Sequence, residues 1–74
     1  MSIDSKYKSL QKKLCKNLLK ARKEAGLTQK DVAFASDMEE QNYRRIENGR
    51  TNPTLKTLLK LCIALNMDIK DLFN

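Results

Sequence analysis

The chain has 74 residues, 41% of them hydrophobic and 32% charged, with a formal net charge of +6. That length fits one small domain near the lower limit of independent stability, and the balance fits a compact soluble domain rather than a disordered chain. With no histidine and only two cysteines, the chain lacks the commonest general base and the ligand count of a zinc site, so neither catalysis nor a metal or other cofactor is expected.

Helix 1 is predicted from Asp4 or Ser5 to Ala25. Tyr7, Leu10, Leu14, Leu18, Ala21 and Ala25 recur at helical spacing and form one apolar stripe, with Leu19 off its centre. Gly26 fits the position just past the helix end. This segment also carries the charge asymmetry. Lys6, Lys8, Lys12, Lys13, Lys16, Lys20, Arg22 and Lys23 stand against Asp4 and Glu24, whereas residues 26–74 balance seven basic against seven acidic side chains. Such an excess points to a polyanionic partner, nucleic acid before an anionic membrane. The plain alternative is a solvated lysine-rich face.

Helix 2 is short. Thr28 is its N-cap, with Asp31 three residues on in the manner of a capping box and Leu27 placed to staple onto Val32. Val32 and Ala33 supply its inner face, and Ala33 is small enough for a close helix crossing. Ser36-Asp37-Met38 makes the following turn, with Met38 as a core plug. Asp tolerates left-handed backbone better than most residues.

Helix 3 is predicted from Glu39 to Asn48, ending at Gly49. Tyr43 and Ile46 face inward. Glu40, Gln41, Arg44 and Arg45 occupy the other faces, near one another at spacings of three and four. A loop through Arg50, Thr51, Asn52 and Pro53 leads to Thr54, the cap of helix 4, which runs from Leu55 to Leu65 with Leu58, Leu61, Cys62 and Leu65 inward. Asn66 closes it in the left-handed conformation. Asp68 then caps a last short helix, Ile69 to Phe73. Cys15 and Cys62 both fall in apolar patterns and read as buried free thiols. No apolar run is long enough to span a bilayer, and a cytoplasmic protein is expected.

The expected architecture is therefore all-α, a single domain over residues 1–74. Residues 1–13 form a basic extension of helix 1. Two short helices joined by a tight turn over residues 28–48 form a helix-turn-helix, whose second helix suits a DNA major groove.

The stretches "LTQKDVA" and "YRRIENGRTNPTLKTLLKLCIALNMDIKDLF" resemble the Cro and lambda-repressor-like helix-turn-helix family, the xenobiotic-response-element type of bacterial and phage regulators. The resemblance is ungapped over about residues 14–73. It rests on Thr28-Gln29, Ala33, Ile46-Glu47, Gly49, Asn52-Pro53 and Leu58, and implies a five-helix DNA-binding domain. On that resemblance Glu40, Gln41, Arg44 and Arg45 read base edges. Gln29 bonds a phosphate and braces helix 3, and Thr28 adds a phosphate contact through its backbone N–H. Asn48, Arg50, Thr51 and Asn52 lie along the sugar-phosphate backbone. Arg22 and Glu47 match a structural ion pair.

Other readings stand beside these. Gln29 can bond within its own helix, and Arg44 or Arg45 can pair with phosphate, Glu40 or Glu47 instead of a base. Departures from the family pattern are Asp37 for the usual turn glycine, Glu39 for the usual Ser or Thr cap, and Tyr43 for a branched aliphatic. Glu39 and Glu40 favour the start of helix 3 through its dipole, by about 0.3–1 kcal/mol at a surface, although they repel phosphate. Glu40 can also accept from the amino group of cytosine, its repulsion penalising wrong sites.

The function expected is a small transcriptional repressor or autoregulator that binds a near-palindromic double-stranded operator as a homodimer, its recognition helices about 34 Å apart. Ile63, Met67, Ile69, Leu72 and Phe73 are the candidate dimer residues, although Leu72 and Phe73 can equally close the monomer core. Unless the chain is a fragment of a longer protein with a sensor domain after residue 74, no small-molecule ligand is expected, and no membrane partner is expected either. A restriction-modification controller and an antitoxin both fit. The rival reading is a protein-interaction module on the same fold, for example an antitoxin that binds its toxin, with weak or no DNA binding.

Overall fold

A computed structural model describes residues 2–74. Its elements are α1 (Ile3–Glu24), α2 (Gln29–Ala35), α3 (Glu40–Glu47), α4 (Leu55–Leu65) and a closing 3-10 helix (Ile69–Phe73). The fifth expected α-helix is thus a 3-10 turn, and the α-helices number four among the described residues. Five residues allow almost no thirteen-atom rings, and the Asp71 N–H instead donates to the Asp68 carbonyl at 3.0 Å, a three-residue step. Asn17 of α1 secures this turn, donating through Nδ2 to the carbonyls of Leu72 (2.9 Å) and Asn74 (3.1 Å).

Each boundary has a local cause. The Ser2 hydroxyl caps α1, accepting from the Ser5 N–H. At its other end Gly26 takes φ +72°, and its N–H and that of Leu27 donate back to Lys23 and Arg22. At α2 Thr28 and Asp31 form a reciprocal capping box, hydroxyl to N–H at 3.0 Å and N–H to carboxylate at 2.9 Å. Glu39 gives α3 no side-chain cap. Asp37 and Asn66 hold the left-handed turns, at φ 55° and 53°. Gly49 ends the α3 unit with φ +72°, and a Cβ there would lie 3.4 Å from the Cys15 sulfur. The position thus needs glycine for its left-handed backbone, while the Cβ contact itself would be near the ordinary range.

Leu14, Leu18, Val32, Ala33, Tyr43, Ile46, Leu58, Leu61, Cys62 and Leu72 form the core, with Leu27, Met38, Leu65, Met67, Ile69 and Phe73 packed around it. The predicted stripe of α1 is only half used. Leu14 and Leu18 are buried, but Tyr7 and Leu10 stay 39% and 46% exposed. A 22-residue helix spans about 33 Å, and the molecule measures 37 × 21 × 19 Å. The first turns of α1 therefore overhang a core that is too narrow to cover them.

Candidate nucleic-acid interface

α2 and α3 pack closely across the turn at Ser36–Glu39. Val32 and Ala33 of α2 and Tyr43 and Ile46 of α3 are buried between the helices and the core. This fixes α3 with Gln41, Asn42, Arg44 and Arg45 exposed and Glu40 half-exposed.

A chain of polar contacts sets the angle of α3. Arg22 of α1 grips Glu47 with both arms of its guanidinium, Nε to Oε2 at 2.9 Å and Nη2 to Oε1 at 3.0 Å. Its Nη1 donates to the Leu27 carbonyl. Gln29 Nε2 donates to Glu47 Oε1 at 3.4 Å, and Gln29 Oε1 accepts from Arg44 Nε at 3.2 Å. Arg44 Nη2 then reaches Glu40 Oε2 at 2.7 Å. The contacts pass from a nearly enclosed pair, with side chains 14% and 5% exposed, to an open one at 49% and 41%.

The buried end is electrostatically tuned. Burial pushes the Glu47 carboxyl up, but the Arg22 hydrogen bonds and charge, aided by the nearby Tyr43 hydroxyl, outweigh it and hold the pKa below the usual carboxylate range. The same bonds raise that of Arg22. Burial, then Glu47, drive the Tyr43 phenol far up. Its hydroxyl lies close enough to feel that charge yet has no partner in hydrogen-bonding geometry. Both cysteines are free. Burial raises both thiols, with Glu47 adding at Cys15 and Asp68 at Cys62, so neither is poised as a nucleophile.

The sequence-derived site residues separate into groups. Arg44 is held by Gln29 and Glu40, whereas exposed Arg45 enters no ion pair among the described residues. Arg45 instead lines a cleft with Thr51, Asn52, Pro53, Thr57 and Lys60, which brings α3, the loop and α4 together. Asn48, Arg50, Thr51 and Asn52 are exposed. Thr28 serves as the cap of α2, its backbone N–H donating to the Asp31 carboxylate in the free protein. Lys60, one helical turn after Lys56, adds a cationic side chain to the Arg45 cleft that the sequence reading did not include.

The C-terminal candidates also divide. Leu72 is fully enclosed (0% exposed), so it closes the monomer core and offers nothing to a second copy. Met67, Ile69 and Phe73 are partly buried against that core. Ile63 is 81% exposed, and Leu59 and Leu55, at four and eight residues before it, are exposed as well. Among the described residues no cluster of His, Cys, Asp or Glu would hold a metal ion, and no helix is long and apolar enough to cross a membrane.

Short braced helices, a tight turn and an exposed, charged second helix define a helix-turn-helix. The comparisons agree: the helix-turn-helix family HTH_3 matches residues 18–72, and the chain belongs to it. It is 40% identical over 60 residues to the HTH-type transcriptional regulator DdrOP3 of Deinococcus deserti, covering 81% of this chain and 46% of that protein. The fold is similar to the restriction-modification controller protein C.AhdI of Aeromonas hydrophila. That match has a TM-score of 0.80 and 33% identity over 82% of this chain and 92% of that one. It is also similar to the clp gene regulator ClgR of Corynebacterium glutamicum, with a TM-score of 0.78 and 27% identity over 85% and 82%. The chain spans about half the length of the curated relatives it matches. The family is the XRE-type helix-turn-helix class, whose named members among these relatives are transcriptional regulators.

Proposed function

We propose that the protein is a sequence-specific, dimeric repressor or autoregulator, acting in the cytoplasm without cofactor or small-molecule ligand. It reads the major groove of a near-palindromic operator with α3. Gln41, Arg45 and the Glu40–Arg44 pair face the bases. Gln29, Asn48, Arg50, Thr51 and Asn52 meet the sugar-phosphate backbone. The observation that carries this reading is the linkage of the exposed α3 face, through Gln29 and the buried Glu47, to a partly buried arginine on α1. A reader must be held still to discriminate, and base contacts rather than phosphate contacts confer choice.

Ile63, with Leu55 and Leu59, supplies the surface for the second copy. Likeness to a controller protein supports the restriction-modification subtype over the antitoxin.

The test is an anisotropy titration against DNA from upstream of the protein's own gene, beside scrambled DNA, at several salt concentrations. Preferential, dimer-dependent binding that Arg45→Ala weakens by about 1–3 kcal/mol is the expected result. A steep salt slope without preference would mean that the lysines of α1 dominate. No binding to either DNA at low salt would remove the proposal and favour a protein partner.

A further inference from the structure

The α3 tip raises a problem of charge. Glu39 and Glu40 stand at the helix end that faces a polyanion in the proposed complex, and the dipole alone accounts only for the ease of starting a helix there. The contacts of Arg44 suggest a second role for Glu40. Its Oε2 is occupied by Arg44 Nη2 at 2.7 Å, while Oε1 accepts no hydrogen bond among the described residues. Arg44 is in turn fixed through Nε by Gln29, leaving both N–H groups of Nη1 and the second of Nη2 as open donors. Gln29 is tied to Glu47, and Glu47 to Arg22. The exposed end of this chain of contacts is thus one unit that presents an open acceptor beside an open donor. Its charges cancel locally, so the carboxylate approaches DNA without the repulsion of a free anion.

We propose that Glu40 and Arg44 form a composite reader for a C·G base pair, with Arg44 also acting as the positioning residue for Glu40. This rests on the DNA reading above. The major-groove edge of C·G presents the cytosine N4 amino donor next to the guanine O6 and N7 acceptors. Glu40 Oε1 accepts from cytosine N4, and Arg44 Nη1 donates to the guanine. Guanine or thymine opposite Glu40 would set a carbonyl oxygen against the carboxylate and be rejected. Arg45, outside the pair, reads a different base pair.

The test is selection of binding sites from a randomised operator library by the full chain and by Glu40→Ala, Arg44→Ala, Glu40→Gln and Arg45→Ala. Salt slopes are measured on the selected site. Glu40 and Arg44 are both well exposed, and circular dichroism checks that the variants stay folded. Wild type is expected to enrich C·G at one position of each half-site, by roughly ten- to hundred-fold.

Glu40→Ala and Arg44→Ala should each lose that preference at the same position. The double variant should lose little more than either alone, and the salt slope should stay unchanged. Glu40→Gln should move the preference toward adenine, which glutamine reads through N6 and N7. Arg45→Ala should alter another position.

Losses at different base pairs, or losses that add independently, would overturn the composite reader and leave the regulator reading intact. So would Arg44→Ala weakening all sequences equally with a salt slope lower by about one, the signature of a phosphate contact. Failure of the wild type to enrich any site would overturn both.

Discussion

The α2–α3 unit and the overhanging start of α1 both carry dense charge, yet they hold it in opposite ways. On α3, Glu40, Arg44 and Glu47 are joined to Gln29 and Arg22, and the inner face is closed by Tyr43 and Ile46. On the first turns of α1, Lys6, Lys8, Lys12 and Lys13 are exposed, and the apolar residues beside them, Ile3, Tyr7 and Leu10, are only partly covered or open. Tyr7 and Leu10 border a shallow apolar groove against Pro53, Leu58 and Phe73. The difference separates two kinds of attraction. A charge on a free lysine adds affinity for any polyanion and is screened by salt. A charge held by neighbours has a direction, and only direction distinguishes one base edge from another.

The sharpest way to probe this contrast is the core beneath each region. Leu18→Ala removes a completely buried side chain and is expected to cost about 2–5 kcal/mol, whereas Leu10→Ala on the overhang should cost well under about 1 kcal/mol. Urea denaturation measures both. Equal losses would mean that the overhang is packed as tightly as the core.

Next comes the brace. Glu47→Ala strands the Arg22 guanidinium and should lose about 3 kcal/mol. The pair also sets a pH dependence. The folded pKa of Glu47 lies below its ordinary value of 4.5, so its stabilisation is complete above that value. It is lost as the pH falls through the lower, folded one. The Asp31 carboxyl, lowered chiefly by the Thr28 N–H, acts with the same sign. Wild-type stability should therefore drop in acid below about pH 4.5, and a Glu47→Gln variant should show a flatter profile in denaturation followed from pH 7 downward.

Gly49→Ala should cost about 1–2 kcal/mol for the left-handed backbone, read as a shift in melting temperature. Arg45→Ala leaves stability alone and should weaken operator binding by about 1–3 kcal/mol while relaxing choice at one position. The smallest effects belong to the overhang. Lys8→Ala or Lys12→Ala should weaken binding to all sequences alike and lower the salt slope by about one each. A sequence-dependent loss from either lysine would erase the distinction between the two regions.

The local punctuation was legible in advance because each signal involves residues close in the chain. Thr28 with Asp31, Gly26, Gly49, Thr54 and Asn66 mark boundaries through bonds that span three to five residues. The type of the last element was not legible. Capping chemistry at Asp68 and Asp71 starts an α-helix and a 3-10 helix alike. Nor was the division of the two arginines of α3. Arg44 and Arg45 are adjacent and identical in kind, and Glu40 one turn back together with Gln29 across the turn selects Arg44 for the brace.

By itself the sequence determined four amphipathic α-helices, their caps, the helix-turn-helix spacing and a basic first helix, because periodicity and capping are short-range properties of the chain. Tertiary structure decided which apolar residues found cover. Periodicity places Tyr7, Leu10, Leu14 and Leu18 on one face, but the size of the core decides that the first two stay partly open. It likewise decided that Leu72 is interior and that Arg22, Glu47, Gln29, Arg44 and Glu40 form one connected chain of contacts. Those contacts join residues as many as 25 positions apart, so they exist only once the helices have packed.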